Sequence, residues 1–237
     1  MARKGAGLAA LVAALGIAAV AHSAVLADYP DFSDVSELKL NGDAEQSGSV
    51  LRLTSADAEE TGTAFTKKAV LNKKKSFKTE FVINMHDSTT APGDGMAFIV
   101  HSASKSAIGS GGGGLGFGEI GDSVAIEFDT FDNGGADEQA NEVAILVNGK
   151  AGKSKDSALP PFNLYGGQRY AWVSYKARSG KIKAWVSDTP TKPQSPLVSA
   201  KVNLKKIFDA PRGRAGFTAA TGGNNADHDV VSWKLTQ

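Results

Sequence analysis

The chain of 237 residues contains no cysteine. Disulfides are therefore excluded as a staple, and stability has to come from a large core, with bound metal as a further source. After residue 27 it has no apolar run long enough to span a bilayer. It also lacks an excess of either charge: 26 basic and 25 acidic residues leave a net +1. Nothing electrostatic draws such a chain to nucleic acid or to an anionic membrane. The run Lys73-Lys74-Lys75 is too short to change that, and reads as a solvated loop. Helical 3.6-residue periodicity is almost missing, as are internal repeats and a linker. The two Gly-rich stretches have no P-loop Lys-Ser/Thr and no following helix, which argues against a phosphate cradle.

What is present begins with a leader. Arg3 and Lys4 precede an apolar run over 5–20, and small residues follow at Ala21-His22-Ser23 and again at Val25-Leu26-Ala27. This order predicts a secretory signal peptide over 1–27, cleaved after Ala27, and a secreted or secretory-lumen product. Losing the two basic residues takes the net charge from +1 to −1. The remaining 28–237 is the right length for one all-β domain.

Short alternating or wholly apolar runs fill it, each bounded by Gly, Asn, Asp or Pro. They predict strands at 50–53, 76–85, 95–101, 123–131, 142–148, 169–176, 181–187, 197–204, 213–221 and 229–235. Residues 177–180 read as a hairpin loop, and only 204–209 as a helical turn. Many strands with no intervening helices imply an all-β, antiparallel two-sheet jelly-roll sandwich.

Residues 124–133 read Val-Ala-Ile-Glu-Phe-Asp-Thr-Phe-Asp-Asn, an apolar strand ending in oxygen ligands. On a strand, Glu127, Asp129 and Phe131 share one face. Asn133 follows just before Gly134-Gly135 turns the chain. Carboxylate, carbonyl and amide oxygens converging at a strand end suit a hard cation such as Ca²⁺. The same residues also suit a turn or a glucanase strand.

Four segments then resemble the legume-type (L-type) lectin family in the family's order. Gly93-Asp94-Gly95-Met96-Ala97-Phe98 is similar to its Asp-Gly-x-Ala-Phe strand, and Gly112-Gly113-Gly114-Leu115-Gly116-Phe117 to its glycine loop. Val124–Asn133 resembles its metal segment, with Val143–Asn148 as the next strand. Gly216–Gly223 through His228–Trp233 resembles the closing strands, especially those of animal secretory-pathway cargo lectins. Several ordered motifs carry a specificity that none has alone.

The resemblance implies a concanavalin-like fold and a secreted, calcium-dependent protein that binds glycans or glycoproteins, of mannose or glucose type, without catalysis. Calcium would be held by Asp129, the Phe131 carbonyl, Asn133 and Asp137, with Asp156 as the substitute for Asp137. Asp94, Gly113, Asn133 and the 222–224 segment (Gly222, Gly223, Asn224) would bind the sugar, with the Phe131 ring against its apolar face. The peptide before Asp94 is expected to be cis. A second, Mn²⁺-type site would use Glu127, Asp129 and Asp137, but Glu142 stands where the family has His. Carboxylate for imidazole moves such a site towards Ca²⁺ or Mg²⁺, or leaves it empty. A homodimer through flat sheets fits the weak grip of a single sugar site.

Two other classes stay open at this point. A jelly-roll β-glucan hydrolase would need Glu127 and, in a bulged register, Asp132. A structural or adhesion module would bind no sugar, and a turned-away Asp94 would favour it. Of the remaining candidates, His228 is expected to be structural, and His86 and His101 to be surface or core residues. Trp172, Trp185 and Trp233 are expected to fill the core.

Overall fold

The computed structural model describes residues 1–2, 23–134 and 140–237. Two eight-stranded antiparallel sheets face each other, as the period-2 patterning predicts. The back sheet runs β14 (Val198–Lys201), β13 (Lys181–Ser187), β12 (Gly167–Lys176), β7 (Phe77–His86), β16 (Asp227–Thr236), β4 (Val50–Thr54) and β3 (Glu45–Ser47), with β1 (Val25–Tyr29) also on β16. The front sheet runs β11 (Asp156–Ala158), β10 (Glu142–Val147), β9 (Ser123–Asp129), β8 (Gly95–His101), β15 (Arg212–Ala220), β5 (Thr61–Thr66) and β2 (Leu38–Gly42), with β6 (Leu71–Asn72) also on β15.

Between the sheets the core is aromatic. Phe81 meets Phe98, Phe128 and Phe217 with ring centroids 5.2–5.9 Å apart, and Phe217 meets Trp233 at 5.2 Å. Edge-to-face pairs at this spacing add about 0.5–1.5 kcal/mol each beyond their buried area. The alternation of β7 follows directly: Phe77, Thr79, Phe81, Ile83 and Met85 are buried, and Lys78, Glu80 and Val82 point out.

β8 and β9 are buried on both faces, which is why they read as continuous apolar runs. Their second face is covered by the glycine loop, whose Leu115 and Phe117 join Ala97, Ile99, Ala125, Ala144 and Leu146 in a smaller apolar cluster. That loop makes a 3₁₀ turn over Gly112–Gly114, which no pattern in the sequence signals. The hairpin at 177–180 forms as predicted, with Gly180 at φ +66°. The helical turn narrows to α1 (Leu204–Ile207), where the Asn203 side chain accepts from the Lys205 N–H.

Residues 24–27 are part of the sheet. Ala24 and Gln237 exchange both backbone hydrogen bonds at 2.8 Å, Ala27 pairs with Leu235, and Ala27 is buried in the core. The folded domain therefore starts before Asp28.

The tryptophans divide. Trp233 is buried in the core, as expected. Trp172 and Trp185 oppose each other across β12–β13 on the outer face of the back sheet. Trp185 is buried and Trp172 half-buried, but both lie outside the core between the sheets, where they were expected, because their parity on these strands is that of the outward Lys183 and Ser174.

Candidate functional site

Register brings three acids together. Gly95, Asp129 and Glu142 stand in one row across β8, β9 and β10, and Ala97, Glu127 and Ala144 form another. Glu127, Asp129 and Glu142 thus share the front face, all buried. A directly opposed pair such as Asp129 and Glu142 has Cβ atoms about 4.5–5.5 Å apart. Buried like charges at that spacing repel, and a divalent cation with oxygen ligands is the usual relief. The donor set fits Ca²⁺ or Mg²⁺ better than a metal that prefers imidazole.

Beyond Asp129 the chain turns sharply. Asp129 Oδ1 accepts the Phe131 N–H at 2.7 Å, and Asp132 Oδ1 accepts the Gly134 N–H at 2.7 Å. Phe131 is half-buried, while Asp132 and Asn133 are exposed. Asp137 lies outside the described residues. Asp156, its substitute, does not join the site. It opposes Ile145 on β10, and its Oδ2 accepts the Ser199 N–H at 2.6 Å.

Asp94 is buried at the mouth of the front sheet, and the Gly93–Asp94 peptide is cis, as the resemblance implies. Its N–H donates to the Ala220 carbonyl at 3.1 Å. Its carbonyl accepts from both the backbone N–H and the hydroxyl of Thr130, at 2.9 and 2.8 Å. The strand end that carries the acid cluster therefore also clamps Asp94.

Glycines let the remaining segments approach. A methyl group on Gly112 would lie 3.2 Å from Asp94 Oδ2, and one on Gly222 would lie 3.4 Å from both Asp94 carboxylate oxygens. On Gly113 it would sit 2.5 Å from Asn133 Oδ1, and on Gly93 2.8 Å from Asn224 Cβ. Gly223 faces open space. Asp94 thus adjoins Gly112 and Gly222, Gly113 adjoins Asn133, and Gly93 adjoins Asn224. Gly112 is not singled out by the sequence, because all six residues at 109–114 are Gly or Ser and nothing local ranks them.

The hydrolase pair does not form a comparable unit. Glu127 is buried beneath the loop side of β9, whereas Asp132 is exposed in a turn past the strand end.

A legume lectin domain model matches residues 27–237, nearly the whole described chain. The chain belongs to the legume lectin family. It is 30% identical over 226 residues to agglutinin-2 of Cladrastis kentukea, covering 84% of this chain and 76% of that one. It is 35% identical over 174 residues to an L-type lectin-domain containing receptor kinase S.7 of Oryza sativa subsp. japonica. That match covers 67% of this chain and 24% of the relative, so the lectin spans about a quarter of the kinase's length. Among solved structures, a lectin from Bauhinia forficata in complex with GalNAc superposes with a TM-score of 0.78 at 23% identity, covering 91% of this chain and 98% of that one. Among the described residues no helix is long and apolar enough to cross a membrane.

The described residues hold another acid cluster, at the loop ends of β7 and β16. His86, Asp227 and Asp229 offer ligand atoms within 4.8 Å of one another. Arg52 already occupies it, reaching Asp227 at 2.5 Å and both Asp229 oxygens at 2.9 Å. His86 bridges Asp87 and Asp229, each at 2.9 Å. Burial pulls the imidazole down, but the hydrogen bonds to Asp229 and Asp87 outweigh it and leave its pKa raised. His86, expected only as a surface or core residue, thus has two acidic partners, the adjacent Asp87 and the sequence-distant Asp229 on β16. His228 is structural, with Nδ1 2.6 Å from the Thr54 hydroxyl and complete burial holding its pKa near 3. His101 packs edge-on to Phe65 at 4.3 Å, and burial, with the Arg214 charge, holds its pKa near 4.

Proposed function

We propose that this lectin binds glycans in a calcium-dependent manner, performs no chemistry, and works on the secretory route. The observation that supports this best is the convergence of the Asp94 carboxylate with Gly112, Gly113, Asn133 and Gly222. A buried carboxylate flanked by glycine backbone can accept from two adjacent sugar hydroxyls, and the exposed Asn133 amide can donate to a third. Asp129, the Phe131 carbonyl, Asn133 and Asp137 are the ligands we assign to calcium, and Glu127, Asp129 and Asp137, with Glu142, those of a second cation. Bound calcium would supply the positive charge that balances these acids and stiffens the turn carrying Asn133. Mannose- or glucose-type sugars remain the proposed ligands, because the short 222–224 segment offers mainly backbone groups. The GalNAc held by the Bauhinia forficata lectin makes galactose-type sugars the comparison to run.

Residues 1–23 are proposed to be the removed leader, with cleavage after Ser23. That position keeps the small residues Ala21 and Ser23 at the cut and preserves the β1 pairing.

A glycan array with and without EDTA tests the function, with mannose-, glucose- and galactose-type arms. Binding that vanishes in EDTA and favours the first two arms is expected. Calcium-independent binding, or none on a broad array, would overturn it. Asp94→Ala should weaken binding by roughly 100-fold or more, since it removes two hydrogen bonds to a charged acceptor.

A further inference from the structure

The outer face of the back sheet, the layer that does not carry Asp94, combines aromatic rings with an excess of lysines over acids. Register aligns Lys234, Glu80, Trp172 and Trp185 in a single row across β16, β7, β12 and β13. A groove lies on each side of Trp172. One, of about 330 Å³, is walled by Tyr29, Tyr170 and Pro190 with the acids Asp28 and Glu80, and Asp28 pairs with Lys234 at 3.0 Å. The other, of about 490 Å³, is lined by Lys78, Lys176, Lys192 and Lys234, with Glu80 as its one acid. Lys192 Nζ lies 3.8 Å over the Trp185 ring, and Lys183 Nζ lies 5.9 Å from it. The Trp185 indole N–H is buried without a hydrogen-bond partner.

This is a concentration of charge in a chain that is nearly neutral overall. Burial and the neighbouring charge of Lys78 both lower the Lys192 pKa, so its ammonium gains from an incoming anion. We propose that this face is a second ligand site, which holds a carboxylated polysaccharide with sugar rings over Trp172 and carboxylates against Lys78 and Lys192.

Three features favour that occupant. Pyranose rings present flat C–H faces that pack on an indole, and two adjoining grooves suit a polymer rather than a monosaccharide. The cations lining the grooves are lysines, which act as point charges, and not the bidentate arginines preferred for phosphate and nucleic acid. Glu80 at the centre opposes a dense polyanion and tolerates a chain with one charge per ring. A second copy of this lectin is disfavoured, because two-fold pairing would bring together two faces that each carry more lysines than acids. The inference stands apart from the Asp94 reading.

The test uses the full chain on immobilised polygalacturonate, with neutral dextran, dextran sulfate and poly-uridylate as comparison surfaces. Binding to polygalacturonate should be seen in about 20 mM NaCl and largely lost in about 300 mM, as screening requires. Lys78→Gln with Lys192→Gln, both on exposed side chains, should weaken it roughly tenfold and leave the unfolding midpoint unchanged. Trp172→Ala should do the same, and Asp94→Ala should bind as the parent does. The proposal is overturned by no binding at low salt, by full binding of the double lysine variant, or by loss of binding in Asp94→Ala. Stronger binding to dextran sulfate or poly-uridylate would overturn it too, as would a dimer in sedimentation that Trp172→Ala dissociates.

Discussion

Glu142 stands directly opposite Asp129 across the β9–β10 ladder, and both carboxylates are buried on the front face with Glu127. This pairing would make the proposed calcium a matter of stability as well as binding. Calcium at about 100 times its Kd should stabilise the fold by about 2.7 kcal/mol, a rise in Tm of roughly 5–10 °C at this chain length. Glu142→His should shift the preference from Ca²⁺ towards Mn²⁺. Thermal unfolding with each ion checks both, and an equal response to both ions in parent and variant would contradict the assignment.

Gly113 touches Asn133 so closely that a methyl group there would lie 2.5 Å from its Oδ1. Asn133 is exposed and can move aside, so Gly113→Ala should cost less than about 1 kcal/mol of stability, as surface changes do. Glycan affinity should fall at least roughly tenfold, since the amide leaves its donor position. Paired urea unfolding and glycan titration separate the two effects.

His101 and His228 predict acid sensitivity. Both are held neutral, with pKa values near 4 and near 3, below the ordinary 6.5 of the unfolded chain. The unfolded state therefore binds more protons as pH falls from about 6.5, and stability declines from there towards pH 4. Each histidine contributes at most about 1.4 kcal/mol per pH unit. His86, with its raised pKa, works in the opposite sense. Its contribution is present below pH 6.5 and fades as pH rises through its folded value. Melting curves from pH 7 to 4 should show a falling midpoint, and His228→Gln, which can still reach Thr54, should flatten it.

The pairing of Ala24 with Gln237 predicts the processed N-terminus. Intact mass of protein recovered from a secreting host should correspond to a chain starting at Ala24. A start at Asp28 would remove three β1 residues, the buried Ala27 among them, and the sheet edge beside β16 would then have to rearrange.

Most of the back and front strands are legible from the sequence. Those over 95–101 and 181–187 coincide with their predicted limits. The strands that escaped were β1, β2, β3, β5, β6 and β11. In β5, Thr-Gly-Thr-Ala-Phe-Thr shows little apolar alternation because Gly62 is pressed to the Leu53 carbonyl and leaves no room for a side chain. β3, β6 and β11 have two or three residues each, too few for a period to show.

Alternation and turn chemistry are local, and so the chain by itself determined a two-sheet antiparallel sandwich and the ordered segments around Asp94, the glycine loop and Asp129. Which of those residues meet depends on register between strands far apart in sequence. Only the tertiary structure set Gly112 and Gly222 against Asp94, sent Asp156 to Ser199, gave His86 its acidic partners and turned Trp172 outward. A one-residue shift in register exchanges the two faces of a strand, and neither composition nor spacing reports that choice.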